Sequence, residues 1–198
     1  EHFRDPKVWQ DGENYFLVAG NLNADNQGQV VLFESSNLID WDYRGVLAAD
    51  DTSSYGQMWE CPDFFSLGNK HVLICSPQFM RAKDLEFHNG HNSIYFVGEY
   101  EDYHFDKGQA RSLDYGLDFY APQTTELPDG RRVLVGWLKS WDSVSTIEGL
   151  TWQGMMTLPR ELTWNGQQLI QKPISELANY RQNSFVTYLE VSELTTIQ

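Results

Sequence analysis

Three stretches of this chain repeat one pattern, and the pattern confines what the chain can fold into. The first is Phe3-Arg4-Asp5-Pro6-Lys7-Val8-Trp9, then Asp11-Gly12, then Tyr15-Phe16-Leu17-Val18. The second is Trp59-Glu60-Cys61-Pro62-Asp63-Phe64-Phe65, then Gly68-Asn69, then His71-Val72-Leu73-Ile74. The third is Asp118-Phe119-Tyr120-Ala121-Pro122-Gln123, then Asp129-Gly130, then Val133-Leu134-Val135-Gly136-Trp137. Each has a proline early in a strand, a glycine turn six to eight residues on, and an apolar strand after it. The prolines lie 56 and 60 residues apart, which leaves room for four strands in each unit. The first unit shows all four, near residues 3–9, 15–21, 29–35 and 41–47. Four-stranded antiparallel sheets repeated around an axis make a β-propeller. The expected fold class is therefore all-β.

A fourth proline segment, Thr157-Leu158-Pro159-Arg160, follows Pro122 by only 37 residues. That is too short for a new unit, so it reads as the third strand of the last one, with Gln168-Leu169-Ile170-Gln171 as the fourth. Three blades do not close a ring, because propellers take four or more. Residues 173–182 suit a short helix capped by Ser175, and Phe185–Val191 alternates like a new strand. The expected organisation is a partial propeller over 1–172. Residues 173–198 would be a linker helix and the first strand of a second β domain.

Composition excludes several function classes. The chain has 11 Phe, 10 Tyr and 7 Trp, too much aromatic surface for a disordered segment. Its net charge is −14 and it has no Lys/Arg cluster, so nucleic acid is not an expected partner. No apolar run is long enough for a membrane span. Cys61 and Cys75 are too few for a disulfide framework or a zinc cluster and read as reduced thiols. His88, His91 and His104 are spaced too loosely for a metal site. No phosphate-loop or dinucleotide motif is present. No metal or cofactor is expected.

The chemistry is expected on the inner strands, which line a propeller's channel. Aligned by proline, Asp5 stands one residue before Pro6, Glu60 two before Pro62, and Ala121 one before Pro122. Two carboxylates thus face one funnel from adjacent blades, an arrangement suited to acid catalysis on a glycosidic bond. Trp59 and Cys61 flank Glu60, an apolar setting that disfavours its charged form. Arg4, beside Asp5, offers a fixed cation that keeps Asp5 ionised and binds sugar hydroxyls. The same spacing also fits a structural Arg4–Asp5 ion pair, with Glu60 a solvated strand residue. Trp137, Trp141, Tyr115, Tyr120 and Phe119 gather around the third unit's inner strands. Such rings stack on sugar C–H faces, or simply pack between blades.

These segments resemble the motifs of glycoside hydrolase family 32. Phe3-Arg4-Asp5-Pro6 is similar to its Arg-Asp-Pro motif, and Trp59-Glu60-Cys61-Pro62-Asp63 to its Glu-Cys motif. Leu113-Asp114-Tyr115-Gly116-Leu117-Asp118-Phe119-Tyr120-Ala121-Pro122-Gln123 is similar to its Asp-Tyr-Gly…Asp-Phe-Tyr-Ala segment. Gly136-Trp137 and Met156–Leu162 match further motifs, all in family order. The resemblance implies a five-bladed propeller followed by a β-sandwich, and retaining hydrolysis of sucrose, sucrose 6-phosphate or fructans. It makes Glu60 the general acid/base, Asp5 the transition-state stabiliser and Arg4 a fructosyl-binding residue. It places Asp114, Tyr115 and Trp137 along the sugar site. The wording is closest to bacterial sucrose and sucrose-6-phosphate hydrolases, which implies a cytoplasmic enzyme, a secreted one being the other option, that needs no metal.

One family motif does not occur: the nucleophile's Trp-Met-Asn-Asp-Pro-type segment. Arg4 rather than Asn precedes Asp5, so Asp5-Pro6 is the other motif. The resemblance therefore reads the chain as an internal segment, lacking the first blades and inactive alone. Two rival readings remain. One is a catalytically silent carbohydrate-binding propeller. The other is a related five-bladed arabinosidase or xylosidase, which the Arg4-Asp5 and Glu60-Cys61 pairs oppose.

Overall fold

Short turns make consecutive strands pair. In the computed structural model, which describes residues 2–143, 149 and 151–183, Asp11 faces Asn14 and Leu67 faces Lys70 across two-residue turns. Each turn begins with a glycine, Gly12 at φ 59° and Gly68 at φ 65°, a backbone region that glycine enters without steric cost.

The strands form three antiparallel meanders. The first is β1 (Phe3–Asp11), β2 (Asn14–Leu22), β3 (Gly28–Ser35) and β4 (Asp42–Ala49). The second is β5 (Trp59–Leu67), β6 (Lys70–Pro77), β7 (Ile94–Glu101) and β8 (His104–Lys107). A short β9 (Arg111–Ser112) continues along the same edge of β7, so the outer strand of this sheet is broken around Gly108–Ala110. The third is β10 (Tyr120–Glu126), β11 (Arg132–Trp137), β12 (Arg160–Trp164) and β13 (Leu169–Pro173). These are the three expected units, and the one helix among the described residues is a 3-10 helix, Ser175–Tyr180.

Two details differ from expectation. The third strand of the last sheet starts at Arg160 rather than Thr157. Thr157 does bond to Gly136 O at 2.8 Å, but Pro159 has no N–H to continue the ladder. Ser175 does not cap the helix from outside. It lies within it and gives its hydroxyl to Glu176. The strand expected at Phe185–Val191 lies outside the described residues.

Period-two alternation sends the middle strands' side chains to two different cores. From β6, Leu73 and Cys75 pack toward the first sheet with Val18, Leu32 and Trp59. Val72 and Ile74 pack toward the third with Phe119, Leu134 and Leu162. The first two sheets approach so closely that a Cβ on Gly20 would sit 2.1 Å from Trp59 O.

The inner strands share one irregularity. Arg4 pairs with Gly20 and Lys7 with Val18, so Asp5 and Pro6 together oppose Ala19. Cys61 and Pro62 likewise oppose Cys75, and Ala121 and Pro122 oppose Gly136. These are β-bulges, and the residue before each proline is left-handed: Asp5 at φ 58°, Cys61 at 50° and Ala121 at 51°. Proline suits the second bulge position because it has no ladder hydrogen bond to lose.

The sheet contact yields a test. In the full-length protein carrying this chain, Gly20→Ala should lower stability by about 1–3 kcal/mol through overpacking. An unchanged urea midpoint would contradict the close packing at Trp59.

Candidate active site

Each bulge turns its strand so that the residue two before the proline faces its counterparts. Those residues are Arg4, Glu60 and Tyr120. Arg4 Nη1 donates to Glu60 Oε1 at 2.8 Å, and Tyr120 Oη donates to Glu60 Oε2 at 2.7 Å. Tyr120 Oη also lies 3.1 Å from Ser76 O. Both oxygens of Glu60 are thus held by donors from the neighbouring sheets, and its side chain is 13% exposed.

Asp5, one residue nearer its proline, is exposed and reaches the next bulge. Its Oδ2 accepts the Cys61 N–H at 3.0 Å. That N–H belongs to the bulged residue, which the ladder leaves without a partner. The two carboxylates therefore sit on adjacent bulges, one gripped by side chains and one by a backbone amide.

This geometry corrects two expectations. Arg4 is paired with Glu60, not with Asp5: its long side chain crosses to the equivalent position of the next sheet. The apolar setting expected around Glu60 is also absent. Trp59 is fully buried in the core, its indole N–H on Tyr55 O at 3.0 Å, while Glu60 is framed by polar partners. The reading of Glu60 as a solvated strand residue fails on the same contacts.

Burial, together with the hydrogen bond to Glu60, pushes the Tyr120 phenol far above its usual range, so it remains a donor at working pH. The Cys61 thiol is pushed up to about 12, chiefly by burial and then by the Asp5 and Glu60 carboxylates. It stays protonated, and an uncharged thiol is a poor nucleophile.

The other candidates divide. Trp137 is directly opposite Tyr120 on the adjoining strand and meets Trp141 edge to face at 5.7 Å. Asp114 and Tyr115 have different partners. Asp114 accepts from Arg160 at 2.6 Å, and Tyr115, 73% exposed, donates to Glu86 at 2.8 Å. Together with Arg160 they line a cavity of about 740 Å³ beside the third sheet. The connection 78–93 leaves β6 beside Glu60 and brings His91 edge-on to Tyr120, with Phe79 against His91. Among the described residues no three His, Cys, Asp or Glu side chains gather as a metal site, and His88 is turned to Asp84 O.

Tyr120 is a partner of Glu60 that motif resemblance alone does not assign. Its signal was present: it stands two residues before Pro122, as Glu60 does before Pro62 and Arg4 before Pro6.

The model for "Glycosyl hydrolases family 32 N-terminal domain" matches residues 1–173. The chain belongs to this family. Its three sheets are blades of the family 32 propeller. Among its relatives, "Sucrose-6-phosphate hydrolase" of Escherichia coli is 42% identical over 91% of this chain and 38% of its own length. "Sucrose-6-phosphate hydrolase" of Bacillus subtilis is 44% identical over 92% of this chain and 40% of its own. A Bombyx mori GH32 beta-fructofuranosidase, solved in complex with sucrose, superposes with a TM-score of 0.86 at 37% identity, over 92% of this chain and 39% of that one. The chain thus spans about 40% of the length of these relatives. No helix among the described residues is long and apolar enough to cross a membrane.

The protonated thiol gives a prediction. A thiol whose pKa lies near 12 holds almost no thiolate at pH 8. Cys61 in the native family 32 protein should therefore resist iodoacetamide at pH 8 and react once urea unfolds the chain. Native labelling as fast as that of a free thiol would show that the site does not suppress the thiolate.

Proposed function

We propose that this chain supplies the acid/base carboxylate and the stabilising carboxylate of a retaining β-fructofuranosidase acting on sucrose or sucrose 6-phosphate. The observation that carries the reading is the cluster of Glu60, Arg4, Tyr120 and Asp5 on adjacent bulges. Glu60 is the general acid. It protonates the leaving oxygen, and the Arg4 and Tyr120 donors orient its carboxyl. Asp5, held through one oxygen by Cys61 N–H and exposed to the funnel, takes fructosyl hydroxyls and faces the positive charge that develops at the anomeric carbon. Arg4 adds a donor for the same sugar, and Trp137 a ring face for its C–H surface.

A retaining reaction also needs a carboxylate nucleophile about 5–5.5 Å from the acid. We assign that role to a residue outside these 198, because the family's nucleophile motif does not occur in this sequence. The relatives' names support a sucrose-type substrate, and the Bombyx mori complex supports a sucrose-sized pocket in the whole protein. In the same reading residues 1–172 are the propeller part, and 173–198 the linker and start of a β-sandwich. The family match ending at residue 173 favours that division. The unpaired Cys61 and Cys75 fit a reducing cytoplasm. Asp114 and Tyr115 line a separate 740 Å³ cavity that includes none of Arg4, Asp5, Glu60 and Tyr120, so the reading does not rest on them.

The test is fructose release from sucrose and sucrose 6-phosphate by the full-length protein carrying this chain. Glu60→Gln should cost about 10²–10⁴ in rate. An activated fructoside with a good leaving group should lose far less in its first step. Equal losses on both substrates would remove Glu60 from the role of leaving-group acid, and absence of fructose release by the wild type would remove the reading as a whole.

A further inference from the structure

A second layer of side chains lies directly beneath the first. It is made by the residues that follow the three prolines: Lys7, Asp63 and Gln123. Gln123 Oε1 accepts from Lys7 Nζ at 3.1 Å, and Gln123 Nε2 donates to Cys61 O at 2.9 Å. Lys7 Nζ also donates to Thr124 O at 2.8 Å and lies 3.5 Å from Asp63 Oδ2. Asp63, buried, accepts the Thr124 N–H at 2.6 Å.

The ammonium of Lys7 can only donate, so it fixes which way the Gln123 amide faces. With its oxygen toward Lys7, the amide turns its NH₂ to the Cys61 carbonyl. Cys61 is the left-handed residue between Glu60 and Pro62, and its own N–H holds Asp5. Hydrogen bonds therefore run from Lys7 to Gln123, to Cys61, to Asp5. Lys7 and Asp5 are two residues apart on β1, so the path closes on itself through all three blades.

A left-handed cysteine persists only where its surroundings hold it. Gln123 is the side chain that grips Cys61 from below. Without it the bulge is free to relax, moving the adjoining Glu60 and the N–H that anchors Asp5.

We propose that Gln123 is a positioning residue for Asp5 and Glu60, acting through the backbone of Cys61, with Lys7 setting the orientation of its amide. This rests on the reading of Asp5 and Glu60 as the working carboxylates.

The variant Gln123→Leu keeps roughly the same bulk and removes both hydrogen bonds. In the full-length protein its kcat on sucrose should fall about 10- to 100-fold, the cost of a misplaced reacting group, with a smaller rise in KM from the displaced Asp5. A purely structural role would lower Tm and leave kcat alone. The double variant with Asp5→Asn separates the two further. Because Gln123 acts through Asp5 and its neighbour, the combined loss should be well below the product of the single losses. Fully multiplicative losses, or a kcat within about twofold of wild type for Gln123→Leu, overturn the proposal. Should Gln123→Leu fold poorly, Lys7→Met leaves the amide in place without its orienting donor and should lose kcat in the same direction; an unchanged kcat there also overturns it. If the wild type releases no fructose, the functional reading fails by itself. The crystal structure of Gln123→Leu then decides the positioning claim: the Cys61 N to Asp5 Oδ2 contact must open, and a retained contact refutes it.

Discussion

The hydrogen bond from the Cys61 amide to Asp5 exists because an inner strand stops being a regular strand at its proline. Two residues there oppose one on the neighbouring strand, and the ladder leaves the amide of the first without a partner. Asp5 takes that amide from the next blade. The same irregularity recurs in β1, β5 and β10, so Arg4, Glu60 and Tyr120 meet although they are 56 and 60 residues from one another along the chain. A continuous ladder would point these side chains along the ordinary alternation, into the blade-to-blade cores. The bulge is what diverts them to the channel. Its cost is one left-handed residue in each inner strand, Asp5, Cys61 and Ala121, about 1–2 kcal/mol for the cysteine and the alanine and less for the aspartate, which tolerates that region.

The contacts at these bulges give two carboxylates of one chemical type different surroundings. Glu60 is held by a guanidinium and a phenol; Asp5 is held by a backbone amide and faces open space. In the proposed mechanism the first environment orients the acid, and the second leaves a carboxylate free to receive hydroxyls. Cys61, wedged between them, keeps its proton because burial and both carboxylates oppose a third negative charge.

The blades were legible in the sequence because each carries its own punctuation: a proline, a glycine turn and an apolar strand. The two carboxylates were legible because they stand beside those prolines. Contacts between blades were not. Arg4 is next to Asp5 in sequence, yet a side chain of its length reaches the equivalent position of the next blade, and nothing local records that partner. Tyr120 was hidden by a different choice. Aligned residue by residue it shares its register with Glu60, but as an aromatic among aromatics it read as packing or sugar stacking. The break at Gly108–Ala110 leaves the outer strand in two short pieces, each too brief to announce itself by alternation. Ser175 resembled a helix cap by type alone, while the backbone starts the helix one residue earlier than a cap would require.

The central claim is spatial: a fructosyl unit sits between Asp5 and Glu60. The most direct measurement is a crystal structure of the full-length protein, carrying Glu60→Gln, soaked with sucrose. The account predicts fructosyl hydroxyls on Asp5 and Arg4, with the glycosidic oxygen within hydrogen-bond reach of the side chain at position 60. Sucrose bound elsewhere, or bound there with its glycosidic oxygen turned away from position 60, would contradict it.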